Sequence, residues 1–225
     1  MYNQNDYSIV LEHVKKVYDG NVKPIKIFED VNLQFKKGEF VAIVGPTGSG
    51  KTTLLNLIAG FDNPQSGNIY VDGVNITKLN ENEKTRFRAK NIGVVFQLHN
   101  LLPNLTVYEN VELPLVLLGV KKTEREKRVM EILNQALIGS YANRKVSTLS
   151  VGECQLVALA RALAPNPKIV LMDEPVEFLD SLTTDTVLAF LKSEMFKEKT
   201  ILLTTHKRKV AQATGKVIYL RKRIP

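Results

Sequence analysis

Residues 45–53 read Gly-Pro-Thr-Gly-Ser-Gly-Lys-Thr-Thr and follow Phe40-Val41-Ala42-Ile43-Val44, a short apolar run suited to a buried strand. This is the G-x-x-x-x-G-K-[ST] spelling in its working context of strand, glycine-rich turn and helix. Gly45, Gly48 and Gly50 let the backbone turn where side chains would clash, so that successive N–H groups can point at one anion. A helix starting near Lys51 adds its positive dipole end to the same spot. Lys51 supplies a point charge for β- and γ-phosphates, and the Thr52 hydroxyl can ligate Mg²⁺. Pro46, Thr47, Ser49 and Thr53 complete the loop.

A chain of 225 residues is long enough for one large domain with a substantial core. The single cysteine, Cys154, rules out an intrachain disulfide and fits a reducing compartment. The N-terminus, Met1-Tyr2-Asn3-Gln4-Asn5-Asp6, lacks the basic and apolar regions of a signal peptide. The longest apolar stretch, Val111 to Val120, contains Glu112 and Pro114 and is roughly half the length that spans a bilayer. The net charge is +8, with basic groups at Lys121–Lys127, Lys207–Lys209 and Arg221–Arg223. None is interleaved with stacking aromatics, so nucleic acid is not an expected partner.

Tyr7 to Val14 and Ile27 to Phe35 alternate apolar and polar residues, with Asp19-Gly20 as a turn signal between them; the pattern predicts antiparallel pairing. Ser66 to Gly73 adds a short strand bracketed by turns. Phe40–Val44, Ile169–Met172 and Ile201–Leu203 read as buried parallel strands, with Ile92–Phe96 as a fourth. From about Leu98 to Leu163 the pattern is helical. Thr106 to Leu118 is apolar and broken by Pro114. Thr123-Glu124-Arg125-Glu126 spells a capping box opening a helix to about Leu137, and Ser150 to Leu163 is a further helix stopped by Pro165 and Pro167. The expected fold is therefore an α/β core with a mixed sheet and parallel central strands, an N-terminal antiparallel β subdomain, and a helical subdomain inserted over about 98–165.

Further stations stand at strand ends. Lys168-Ile169-Val170-Leu171-Met172-Asp173-Glu174-Pro175 is a buried strand closing on two carboxylates. Asp173 is placed to hold Mg²⁺, and Glu174, facing the other way, to take a proton from an attacking water. His206 ends the next apolar strand and can donate to a γ-phosphate oxygen. Gln97 follows Val94-Val95-Phe96, and its amide oxygen can ligate Mg²⁺; a lone histidine at a strand end is more often structural, and Gln97 alone is an equally weak signal. Ser150 and Glu153 spell an N-cap box. Gly152 lowers helix propensity within that first turn, which implies a close approach by something. An exposed helix N-terminus of this kind is a second phosphate binder, suited to another chain's nucleotide.

Taken in order, these residues resemble an ABC-type nucleotide-binding subunit over essentially the whole chain. The resemblance implies that Tyr18 stacks on adenine, that Gln97 is the Q-loop glutamine, and that Leu149 to Glu153 is the signature segment. It also implies that Asp173 and Glu174 are the magnesium aspartate and catalytic glutamate, that Leu179-Asp180 closes the D-loop, and that His206 is the switch histidine. Phe96 to Pro103 and Tyr108 to Leu115 are similar to the branch of lipoprotein-release, macrolide-export and division-associated subunits. The sequence departs from the family pattern at Val151, Glu153, Cys154 and Leu156 in the signature, and at Val176-Glu177-Phe178 before Leu179. It also runs only a few residues beyond Val217-Ile218-Tyr219-Leu220, short of the usual extension.

The resemblance implies an enzyme that binds ATP and Mg²⁺, with Lys51, Glu174 and His206 carrying hydrolysis. Two ATP molecules would be sandwiched in a homodimer or heterodimer, coupled to a polytopic permease at the cytoplasmic face of the membrane. The alternatives are an ATPase of a non-transport envelope or division complex, and a weakly active regulatory subunit.

Overall fold

The computed structural model describes residues 6–20 and 23–221. Met1–Asn5, which carry most of the signal-peptide argument, and Lys222–Pro225, on which the short C-terminus rests, lie outside the described residues. The strands segregate by direction. β1 (Tyr7–Tyr18), β2 (Ile25–Lys36), β4 (Ser66–Val71) and β5 (Val74–Asn75) form an antiparallel sheet in the order β2-β1-β4-β5. β3 (Phe40–Val44), β6 (Ile92–Val95), β7 (Ile169–Met172), β8 (Thr200–Thr205) and β9 (Lys216–Tyr219) form a parallel sheet in the order β6-β7-β8-β3-β9. The parallel strands expected at the centre of a mixed sheet thus have a sheet to themselves.

The near-continuous apolar runs of the parallel strands serve two cores, one on each face, because successive side chains point to opposite sides. Val41, Ile43, Ile169, Leu171 and Leu202 face helix α1 (Lys51–Ala59) and the antiparallel sheet, packing with Leu54, Leu57, Ile58, Ile9 and Phe35. Ala42, Val170, Met172, Ile201 and Leu203 face the other way, into the helices α3 (Val107–Leu117), α4 (Lys122–Gln135), α5 (Val151–Leu163) and α6 (Ser181–Leu191). α2 (Glu81–Asn91) and α7 (Arg208–Gln212) complete the chain.

Two helical expectations need correction. α3 is not broken at Pro114; it runs through it to Leu117. Val107, Val111 and Leu115 form a buried ridge, and burying side chains of this kind at roughly 1.5–3 kcal/mol each outweighs an interior proline's cost of about 3 kcal/mol. Thr123 is not the cap of α4. That helix begins at Lys122, with Lys121 in the cap position and no side-chain cap. Its start is set by tertiary contact instead: Arg125 donates from Nη1 to the Val120 carbonyl (2.7 Å) and from Nε to Glu112 on α3 (2.8 Å). The box at Ser150 is real, with Ser150 and Glu153 each bonding the other's backbone N–H at the start of α5.

Strand register positions the candidate site. Val44 pairs with Thr205, Leu203 with Met172, and Met172 with Val95. The carboxyl ends of β3, β8, β7 and β6 therefore lie side by side, and the phosphate loop, His206, Asp173 with Glu174, and Gln97 each follow one of them.

Candidate nucleotide site

The loop from β3 to α1 passes through left-handed backbone at Gly48 (φ 80°) and Gly50 (φ 93°), where a side chain would be strained. A Cβ at Gly50 would also lie 2.7 Å from Ile27 Cγ2. Gly45 is glycine for a different reason: its Cβ would lie 2.5 Å from Ser49 Oγ and 2.6 Å from the Leu220 carbonyl. Gly50 is also the N-cap of α1 and offers no side-chain cap, so the first-turn N–H donors of that helix are left to an external acceptor.

Lys51, the first residue of α1, donates from Nζ to the Gly45 carbonyl (2.8 Å) and lies 3.5 Å from Glu174 Oε1. Both of these charged side chains are only 11% exposed. Thr52 Oγ1 donates to Asp173 Oδ2 at 2.8 Å. The other Asp173 oxygen accepts from Thr204 Oγ1 at 2.6 Å, and the same hydroxyl accepts from the Glu174 N–H at 2.9 Å. Thr204 is fully buried at the end of β8; the sequence reading missed it. Glu174 has a left-handed φ of 45°, which turns its carboxylate away from Asp173 and toward Lys51 and His206. His206 Nδ1 lies 3.3 Å from Glu174 Oε2, and its Nε2 lies 3.2 Å from Glu177 Oε2.

A cleft of about 250 Å³ opens along the loop beside Lys51 and Glu174, lined also by Ile27, Thr47, Gly48, Gly50, Thr52, Thr53 and Gln97, while His206 lines a neighbouring hollow with Gly45 and Pro46. Tyr18 stands at the end of β1 near the same loop, its hydroxyl 3.5 Å from Thr53 Oγ1 and donating to Asp62 Oδ2 at 2.6 Å. The Lys16 ammonium sits 4.5 Å from the centre of the Tyr18 ring. Burial, then the Asp62 carboxylate, push the Tyr18 hydroxyl above its ordinary value. For Asp62, burial acts upward, but hydrogen bonds from Lys16, Tyr18 and the Asn63 N–H outweigh it and hold the carboxyl below the usual range. Asp62 is a second residue that sequence reasoning missed, since only folding brings the end of α1 against β1.

Ser150, Gly152 and Glu153 stand apart from this cleft. The close approach that Gly152 implies comes from within the chain: a Cβ there would lie 2.4 Å from Thr183 Cγ2 on α6. The backbone N–H of Ser150 holds the Glu153 carboxyl below its ordinary value. The turn after Gln97 is tied to α5 by Arg161, which donates to the carbonyls of His99 (2.7 Å) and Asn100 (2.6 Å). Both acceptor residues have positive φ, 60° and 49°.

The donor set fits a phosphate ester and a hard divalent cation. The uncapped helix start and Lys51 offer N–H donors and charge to phosphate oxygens. The hydroxyl of Thr52 and the carboxylate of Asp173, already in contact, offer the oxygen ligands that Mg²⁺ prefers.

Residues 28–177 match the model of the family described as ABC transporter. The chain belongs to the ABC transporter family. It is 44% identical over 218 residues to the uncharacterized ABC transporter ATP-binding protein MJ0796 of Methanocaldococcus jannaschii, covering 95% of this chain and 93% of that one. It is 37% identical over 217 residues to the lipoprotein-releasing system ATP-binding protein LolD of Legionella pneumophila, covering 96% of each. A solved dimeric structure of the ATP-binding cassette MJ0796 in a post-hydrolysis state, bound to ADP and Pi, superposes with a TM-score of 0.88 at 42% identity. That match covers 95% of this chain and 94% of the solved one. Among the described residues of this ABC family member, no helix is long and apolar enough to cross a membrane.

Proposed function

We propose that the chain binds ATP on the Gly45–Thr53 loop and hydrolyses it with Glu174 as the water-activating base. It is the ATPase subunit of an ABC transport system. The observation that carries the residue assignment is the convergence of Lys51, Asp173 with Thr52, Glu174 and His206 at the ends of adjacent parallel strands.

The uncapped N–H groups of the loop and Lys51 bind the phosphates, drawing Lys51 from its contact with Glu174 toward the stronger oxyanion partner. Tyr18, steadied by Asp62, stacks on the base. Glu174 accepts a proton from the attacking water, Lys51 holds the charge that develops on the phosphoryl oxygens, and His206 donates to one of them. Thr52 and Asp173, with Gln97 on the same cleft, would hold Mg²⁺, which supplies further charge neutralisation when bound.

Ser150, Gly152 and Glu153 do not reach this cleft, so they are assigned to the nucleotide of a second subunit, in a homodimer or heterodimer. The dimeric MJ0796 cassette supports that reading. We assign the chain to a single ATP-binding domain in which about 98–165 forms a helical lobe. Through Gln97 and the Arg161 clamp on His99 and Asn100, the lobe relays closure to a polytopic permease at the cytoplasmic face of the membrane. No role is assigned to nucleic acid. Relatives named by function belong to lipoprotein release and macrolide export, which favours transport over an envelope scaffold.

The test is Glu174→Gln. Turnover should fall by roughly 10²–10⁴-fold while ATP still binds. Turnover like that of the unaltered chain would remove Glu174 from the mechanism.

A further inference from the structure

His206 is flanked on both sides by carboxylates. One ring nitrogen faces Glu174 and the other faces Glu177, at 3.3 and 3.2 Å. A phosphate oxygen can therefore receive a hydrogen bond from His206 only if one of these contacts is given up. The Glu174 contact belongs to the hydrolytic centre already described. The Glu177 contact does not, and it comes from the Val176-Glu177-Phe178 segment that follows β7.

That segment is firmly seated. Val176 is buried, Lys207 Nζ donates to the carbonyls of Val176 (2.6 Å) and Glu177 (3.1 Å), and the Glu177 N–H donates to the Glu174 carbonyl (3.1 Å). The backbone thus presents the Glu177 side chain directly to the imidazole that follows Thr205. Yet Glu177 Oε2, shielded from solvent, has no aligned hydrogen-bond donor among the described residues. A shielded carboxylate oxygen beside an imidazole but with no aligned donor is poorly satisfied, so the contact is one that a better arrangement can displace.

We propose that Glu177 is a restraining residue for His206, keeping the imidazole off the transferred phosphoryl group until the 176–178 segment shifts. The proposal rests on the reading of this site as an ATPase. Glu177 is assigned to act through His206 as a positioning residue, so its removal should raise turnover.

The experiment uses the full-length chain labelled with ¹³C and ¹⁵N, with the His206 ring signals identified by their loss in His206→Ala. Glu177→Gln and Glu177→Ser should each move the His206 ring signals and leave those of His13 and His99 in place, which also reports an intact fold. Both variants should raise turnover at saturating ATP by about two- to fivefold, the size set by one weak, partly exposed polar contact, with ATP affinity unchanged. In a His206→Ala background, Glu177→Gln should change nothing. His206 signals that stay put in both variants, or turnover that is unchanged or lower, overturn the restraint. An unaltered chain that binds no ATP overturns the functional reading instead, and the His206 signals tell the two failures apart.

Discussion

Thr204→Val removes one hydroxyl and almost no volume, and it strikes the centre of the site. The lost oxygen donates to Asp173 at 2.6 Å and accepts from the Glu174 N–H at 2.9 Å. A hydrogen bond to a charged group contributes about 1.5–3 kcal/mol, and a buried N–H left without its partner costs about 1–3 kcal/mol. The two effects share one oxygen and the valine methyl recovers some apolar burial, so the expected loss of stability is about 2–4 kcal/mol. Catalysis should suffer separately. Glu174 sits at φ 45°, a conformation costing roughly 1–2 kcal/mol in a non-glycine residue, and Thr204 is what fixes its N–H. Released, the peptide relaxes toward ordinary backbone and carries the carboxylate with it; a displacement of about 1 Å is enough to slow an oriented reaction about 10²-fold. Urea unfolding with an unchanged m value measures the first effect, and steady-state ATP turnover at saturating substrate measures the second. Thr204→Ser, which keeps the hydroxyl, should retain most of both. A valine variant within about 0.5 kcal/mol of the parent and with undiminished turnover would refute the assignment.

Gly152→Ala should destabilise the chain by about 1–2 kcal/mol, the cost of overpacking, although a helical glycine-to-alanine change ordinarily gains nearly 1 kcal/mol. Its Cβ meets Thr183 Cγ2 at 2.4 Å, and Thr183 is pinned by bonds to Asp180 from its N–H (2.9 Å) and its hydroxyl (2.6 Å). Adding Thr183→Ser, which deletes the offending methyl and keeps the hydroxyl, should restore the midpoint in thermal melts; no rescue would mean the clash is not the cause. Acid should also destabilise the fold. The carboxyls of Asp62, Glu109, Glu153 and Asp180 are held below their ordinary values. Burial works against this at Asp62 and is outweighed by Lys16 and Tyr18; the Thr106 N–H leads at Glu109, the Ser150 N–H at Glu153 and the Thr183 hydroxyl at Asp180. Groups depressed on folding stabilise fully above their unfolded pKa of about 4 and lose that contribution as pH falls through the folded values. Denaturation midpoints flat from pH 7 to 3 would contradict it.

Much of this molecule could be read before folding was considered. The loop spelling, the apolar runs of β3, β7 and β8 and the Ser150 box are local signals: backbone sign, period and capping act within a few residues. α2 is absent from the sequence reading: it buries only Lys84 among its residues and has no apolar stripe, and the Asn80–Glu83 capping box is its local signal. The corrections at Pro114 and Thr123 have one origin, since burial and the Arg125–Glu112 pair overrode local propensity.

The sequence by itself determined which chemistry is available: a phosphate loop with its lysine, two carboxylates ending one buried strand and a histidine ending another. What only the tertiary structure decided is who touches whom. Parallel register set the strand ends side by side, put Thr204 between Asp173 and Glu174, turned Asp62 onto Tyr18, and delivered Glu177 to His206. These contacts join residues from different strands and loops, and no pattern within a single segment encodes them.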